Sequence, residues 1–175
     1  EEGVKVINGI VKTGQIPKGA KPNHNTSAAQ NFGYALNIIR KGPDKVIDTS
    51  SNVYIQEMFN FIDQKLVDDG QTMPFETLYK NFMGIGGPKD FGLTKRMVQI
   101  FVLCLVREGK IRIGLSAKAG LSVNTIDYAN IADIEFSAKI LDCLDYVQKM
   151  VRSENWEILR PYAEAILGEE IRPTQ

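Results

Sequence analysis

Residues 72–125 read TMPFETLYKNFMGIGGPKDFGLTKRMVQIFVLCLVREGKIRIGLSAKAGLSVNT. Phe75, Leu78, Tyr79 and Phe82 recur at helical spacing behind Pro74, which suits a first helical turn because its missing N–H has no intrahelical partner there. The run Gly84-Ile85-Gly86-Gly87-Pro88 stops that helix. A longer one is expected from about Leu93 to Glu108, with Asp90 as its candidate cap and Gly109 as its stop. Between Met97 and Val106 its only polar side chain, apart from the Cys104 thiol, is Gln99, so the spacing predicts burial nearly all round. Ile111–Leu115 and Leu121–Ile126 then alternate as strands do, around the short basic loop Ser116–Gly120. Helix, glycine turn, apolar helix and hairpin is the order of a winged helix.

Working outward, the apolar residues of Val4–Thr13 predict a short helix stopped by Gly14. Ser27 with Gln30 matches a capping box for a helix reaching Arg40. The polar cluster Asp48–Asn52 offers caps for a helix with Ile55, Met58, Phe59, Ile62 and Leu66 on one face, closed by Gly70. On the other side, Ile140, Leu141, Leu144, Val147 and Val151 predict a helix from about Phe136 to Val151. Ser153 caps a further segment holding Trp156, Ile158 and Leu159, and Pro161 bends or restarts it. The resulting expectation is a mainly α fold with a small β-hairpin, a winged-helix core flanked by additional helices. Its parts are an N-terminal helical segment (1–47), the winged-helix domain (48–131) and a C-terminal helical extension packing on it (132–175).

A chain of 175 residues, 43% of them hydrophobic, is long enough for one compact core. Its net charge of zero hides an uneven distribution. Residues 83–120 carry seven basic and two acidic side chains, a balance of +5, whereas residues 121–175 carry five and ten, a balance of −5. The basic middle points either to nucleic acid or to a tail that neutralises it. No apolar run is long enough to span a bilayer and no signal peptide is visible. The missing initiator methionine and the polar ending predict a piece of something longer.

No motif supports catalysis. The glycine loop lacks the Lys-Ser or Lys-Thr ending of a P-loop and follows a helix instead of a strand. The carboxylate pairs Asp68-Asp69, Asp142 with Asp145, and Glu169-Glu170 have no nucleophile or histidine beside them in the sequence. The single histidine, His24, sits in a polar stretch, and Cys104 and Cys143 lack ligand spacing, so no metal and no cofactor is expected. Two isolated thiols in apolar patterns fit buried cysteines in the reducing cytoplasm. Binding therefore falls to basic residues. Lys89, Lys95, Arg96 and Gln99 stand about the start of the long helix, where a winged helix meets the major groove, while Lys110, Arg112 and Lys118 mark the base and tip of the wing. Because no polar side chain follows Gln99 until Arg107, phosphate contact is expected ahead of base reading.

The run from Gly70 through Met73-Pro74 and Tyr79-Lys80-Asn81-Phe82-Met83-Gly84-Ile85-Gly86-Gly87-Pro88 to Arg96, continued by Leu105–Ile111, resembles a segment of large bacterial and archaeal P-loop ATPases, those of phage-exclusion systems of the BREX and Pgl type. It covers about a quarter of the chain, and the Walker residues of that family are not present in it. The resemblance implies a noncatalytic accessory region of a larger ATPase, working on DNA in a defence complex. The alternative is a docking or interdomain scaffold module that meets other domains or subunits and no nucleic acid.

Overall fold

The computed structural model describes residues 1–150 apart from 17, 20, 41, 68, 69 and 85–90, together with Tyr162, Ala165 and Ile166. The chain opens with α1 (Glu2–Val6), which continues into a π-helical turn, Ile7–Val11. Gly9 on that turn lies against α2 (His24–Ala35), so closely that a Cβ would come within 2.7 Å of the Asn25 carbonyl carbon and 2.8 Å of the Ala29 Cβ. The cap of α2 is not Ser27 with Gln30 but Asn23 with Thr26. Asn23 Oδ1 accepts from the Thr26 amide at 2.8 Å and Thr26 Oγ1 from the Asn23 amide at 2.9 Å, which makes His24 the first helical residue. Strands β1 (Gln15–Ile16) and β2 (Lys45–Val46) form a two-residue antiparallel ribbon.

Helix α3 (Val53–Lys65) begins where Asn52 Oδ1 accepts from the Ile55 amide at 3.0 Å, as the polar cluster before it predicts. Strand β3 (Thr72–Pro74) leads directly into α4 (Phe75–Phe82), and α5 (Lys95–Arg107) follows. The cap of α5 is Thr94, whose Oγ1 accepts from the Met97 amide at 3.3 Å; Asp90 lies outside the described residues. The glycine loop is pinned at its base, where Gly84 O accepts from the Gly92 amide at 2.9 Å and Phe82 O from the Leu93 amide at 3.2 Å. The remaining elements are β4 (Ile111–Leu115), β5 (Thr125–Ile126), α6 (Ala138–Leu141) and β6 (Leu144–Lys149).

The mainly α expectation with one small hairpin does not hold. The fold is α+β, with a two-stranded sheet and a four-stranded antiparallel sheet ordered β3-β6-β4-β5. The hairpin of β4 and β5 exists, paired through Ile113 with Ile126 and Gly114 with Thr125, but it forms only one margin of that sheet. The expected helix 136–151 is one turn, α6, followed by the strand β6, which runs between β3 and β4. Leu144–Lys149 therefore completes the sheet begun at 72. The misreading has a physical cause. A bulge at Asp145 places Tyr146 opposite Gly114 but Leu144 opposite Leu115. The extra residue turns Leu144 and Val147, three apart, to the same inner face, and a strand thereby imitates helical spacing.

Met73, Ile111, Ile113 and Val147 on the inner face join one buried cluster with α4 and with α5, which is buried at every residue from Val98 to Val106. Each large apolar side chain so covered contributes roughly 1.5–3 kcal/mol. Residues 116–143, between β4 and β6, are stitched to the N-terminal helix. Asn8 Nδ2 donates to Phe136 O at 2.9 Å and its Oδ1 accepts from the Phe136 amide at 3.0 Å, as a neighbouring strand would, and Lys12 pairs with Glu135 at 2.6 Å.

Candidate nucleic-acid interface

The basic residues expected to bind do not gather on one face. Lys95 opens α5 and Lys110 lies past its end, about 20 Å away along a helix that rises roughly 1.5 Å per residue. Arg112 sits on the outer side of the sheet, where its Nε donates to Gln148 Oε1 at 2.7 Å across the β4–β6 pair. Lys89 lies outside the described residues.

Most of these side chains are also occupied. Lys95 Nζ is 2.8 Å from Asp142 Oδ1 and 5.6 Å from the Tyr79 ring centre, and its hydrogen bond holds the Asp142 carboxyl below the usual range against a desolvation that works the other way. Arg96 lays its aliphatic stem over Gly3, where a Cβ would collide with it, and donates from Nη1 to Gln99 Oε1 at 2.6 Å. Lys110 rests over the Phe59 ring at 5.1 Å with its ammonium 2.9 Å from Glu108 Oε2. That contact is an ion pair without hydrogen-bond alignment, since the same oxygen has no hydrogen-bond partner. Lys118, exposed on the short 3-10 turn Ala117–Ala119, has no ion pair among the described residues.

Gln99 is fully buried. Its Nε2 donates to Tyr79 Oη at 2.7 Å and to the Leu141 carbonyl at 2.8 Å, so one amide ties α5 to α4 and to the end of α6. Burial pushes the Tyr79 hydroxyl up to about 12, opposed in part by the Gln99 hydrogen bond. A side chain committed in this way reads no base edge.

Two features carry no obvious sequence signal. A polar cleft of about 420 Å³ lies at the far end of α5, lined by Arg40, Asp48, Ser50, Gln56, Glu108 and Lys110 among others. Its groups pair with one another. Thr49 Oγ1 donates to Glu108 Oε1, Arg40 Nε to Asp48 Oδ2 at 3.2 Å, and Ser50 Oγ to Asp48 Oδ1 at 2.6 Å, the last holding the Asp48 carboxyl low. The second is an apolar groove of about 490 Å³ between the end of α2, the start of α3 and the first half of α5. Leu36, Val53, Tyr54, Phe91, Met97 and Phe101 line it. Phe91 and Tyr54 meet edge to face at 5.4 Å, and Tyr54 stacks on Phe101 at 6.0 Å. Helical periodicity marks such residues as core and cannot say that a trough is left between helices.

Among the described residues no group of three or more His, Cys, Asp or Glu side chains is placed to hold a metal ion, and no helix is long and apolar enough to cross a membrane. No family model, curated protein or solved structure matches the chain.

Proposed function

We propose that the chain is a noncatalytic docking or interdomain scaffold module of a larger cytoplasmic ATPase, a winged-helix variant with an enlarged wing in which α5 serves as core and not as reader. The order α3, β3, α4, α5, β4, β5, α6, β6, with the last strand returning between β3 and β4, supports the winged-helix part. The observation that carries the functional part is the burial of α5 from Val98 to Val106, with the Gln99 amide spent on Tyr79 and Leu141. The internal pairs of Lys95, Arg96, Lys110 and Arg112 point the same way, since each would have to break before meeting a phosphate. The setting in a phage-exclusion complex rests on the resemblance of residues 70–96 and 105–111 alone.

The test is a fluorescence titration of labelled duplex and single-stranded DNA at low salt. The expected result is no saturable complex tighter than about 10⁻⁴ M, the weak end of nonspecific binding. A tight complex weakened by Arg96→Ala or Lys118→Glu would overturn the scaffold reading and restore DNA contact through the helix start and the wing.

A further inference from the structure

Arg107 closes α5, and among the described residues none of its guanidinium N–H groups has an acceptor, either in a hydrogen bond or in an ion pair. The helix end does not supply one, because Cys104 O, Leu105 O and Val106 O already accept from the amides of Glu108, Lys110 and Gly109 at 2.9–3.0 Å. The neighbouring Glu108 carboxylate is taken too, by the Thr49 hydroxyl on one oxygen and by the Lys110 ammonium, 2.9 Å away, on the other. Yet the Arg107 side chain is held in place. Its guanidinium carbon lies 4.9 Å from the Tyr128 ring centre, and its Nε is so near Gly14 that a Cβ there would stand 2.8 Å from it. Gly14 is fixed in turn, with a left-handed φ of 78° and its carbonyl accepting from the Ile47 amide at 2.8 Å.

A guanidinium fork held between a backbone and a ring, with its donors free, is arranged to receive a planar anion. We infer that Arg107 and Tyr128 anchor a carboxylate from an acidic segment of a partner protein. The inference rests on the docking reading and names what docks. Arg107 stands in a cleft of about 310 Å³ with Thr13, Gln15, Val46 and Tyr128, room for one or two side chains. Ile47 and Glu108 line both this cleft and the polar one that holds Arg40 and Lys110, so the two adjoin. Their charged linings are Arg40, Arg107 and Lys110 against Asp48 and Glu108, three against two. Arg40 and Lys110 face those two carboxylates, which leaves Arg107 as the cation in excess. Tyr128 is 52% exposed beside it, and arginine and tyrosine are the residue types that anchor protein interfaces.

Nucleic acid fits this surface less well. A run of phosphates would meet Asp48, Glu108 and the negative end of the α5 dipole repeatedly. A single carboxylate meets them once, against a fork that gives it two charge-assisted hydrogen bonds.

The test is fluorescence anisotropy of a short labelled peptide alternating Glu and Gly, added at low salt to the full chain. Saturable binding is expected, and none for the same peptide with Lys in place of Glu. Arg107→Lys keeps the charge and loses the fork, so it should weaken the complex about tenfold. Tyr128→Ala, on a ring exposed enough to leave folding intact, should weaken it about two- to fivefold by freeing the guanidinium. Lys118→Ala, beyond the far end of β4, should change nothing. In the unaltered chain the Arg107 Nε–H resonance should move along the same saturation curve. No saturable binding, an equal loss in Lys118→Ala and Arg107→Lys, or an unmoved Nε–H resonance would each overturn the inference and leave the docking reading in place. A labelled DNA duplex that bound more tightly than the peptide, with the same dependence on Arg107, would overturn both.

Discussion

Replacing Gln99 by methionine keeps the volume and removes the amide, which isolates what the three hydrogen bonds contribute. The Leu141 carbonyl belongs to a fully buried residue, and without Gln99 Nε2 it loses its donor. A buried acceptor left in that state costs about 1–3 kcal/mol. Tyr79 and Arg96 are only partly covered and can turn to water, so their losses together come to about 0.5–1 kcal/mol. The sum, about 1.5–4 kcal/mol, is a large share of the roughly 5–15 kcal/mol that holds a domain together. With a urea slope near 2 kcal/mol per molar, the unfolding midpoint of Gln99→Met should fall by about 0.8–2 M with an unchanged slope. The measurement is equilibrium urea unfolding followed by far-UV circular dichroism. A midpoint equal to that of the parent protein would refute the assignment of Gln99 as a structural tie. A stable variant that had lost DNA affinity would show instead that the side chain faces a ligand.

Other substitutions probe the seams of the fold. Gly9→Ala would drive a Cβ into the Asn25 backbone, which cannot yield as a side chain can, so a loss of about 2–3 kcal/mol is expected in thermal or urea unfolding. Asn8→Ala removes both hydrogen bonds to the Phe136 backbone, and the Phe136 amide should then exchange with solvent faster while amides in α5 keep their protection. Raising the pH should also destabilise the chain. Burial raises the Tyr79 hydroxyl from 10 to about 12, so folding favours its protonated form; that contribution is intact below pH 10 and drains away as the pH climbs to about 12. Burial pushes the Cys104 thiol up from 9.0 in the same sense, opening the window about a unit earlier. The urea midpoint should therefore decline across pH 9–12, and less steeply in Cys104→Ala; a flat profile would contradict the burial of both groups.

Much of the helical framework was legible because an apolar stripe needs only a count of residues. The faces of α3, α4 and α5 were readable from Ile55, Met58 and Ile62, from Phe75, Leu78 and Phe82, and from the unbroken run after Met97, and the stop at Gly109 coincides with its left-handed φ of 71°. Ends were less legible. Thr94 and Asn23 cap where Asp90 and Ser27 looked suitable, because several short polar side chains near a boundary can all accept an amide and tertiary fit selects one. The strand β6 was hidden by its own bulge, which substitutes a three-residue interval for a two-residue one. Binding residues were the least legible part. Charge is read from sequence at once, but partners such as Asp142 for Lys95 and Gln148 for Arg112 lie 47 and 36 positions away and come together only in the fold. The apolar groove is a matter of where helices diverge, and composition has no term for that.

The position of β6 has a consequence for how the chain is made. It is the last described strand to be synthesised and the one that both β3 and β4 pair with, so Thr72 waits for Gln148. At roughly 5–20 residues per second that wait lasts on the order of 4–15 s, during which β3 and one side of β4 have no strand partner. Contacts so distant in sequence form slowly, and unpaired strand edges invite pairing with other chains. Nascent molecules thus pass through a window in which the helices can assemble but the sheet cannot, and a chain truncated before Leu144 would never leave it. Protection of those open edges during synthesis therefore bears on how much chain reaches the finished fold.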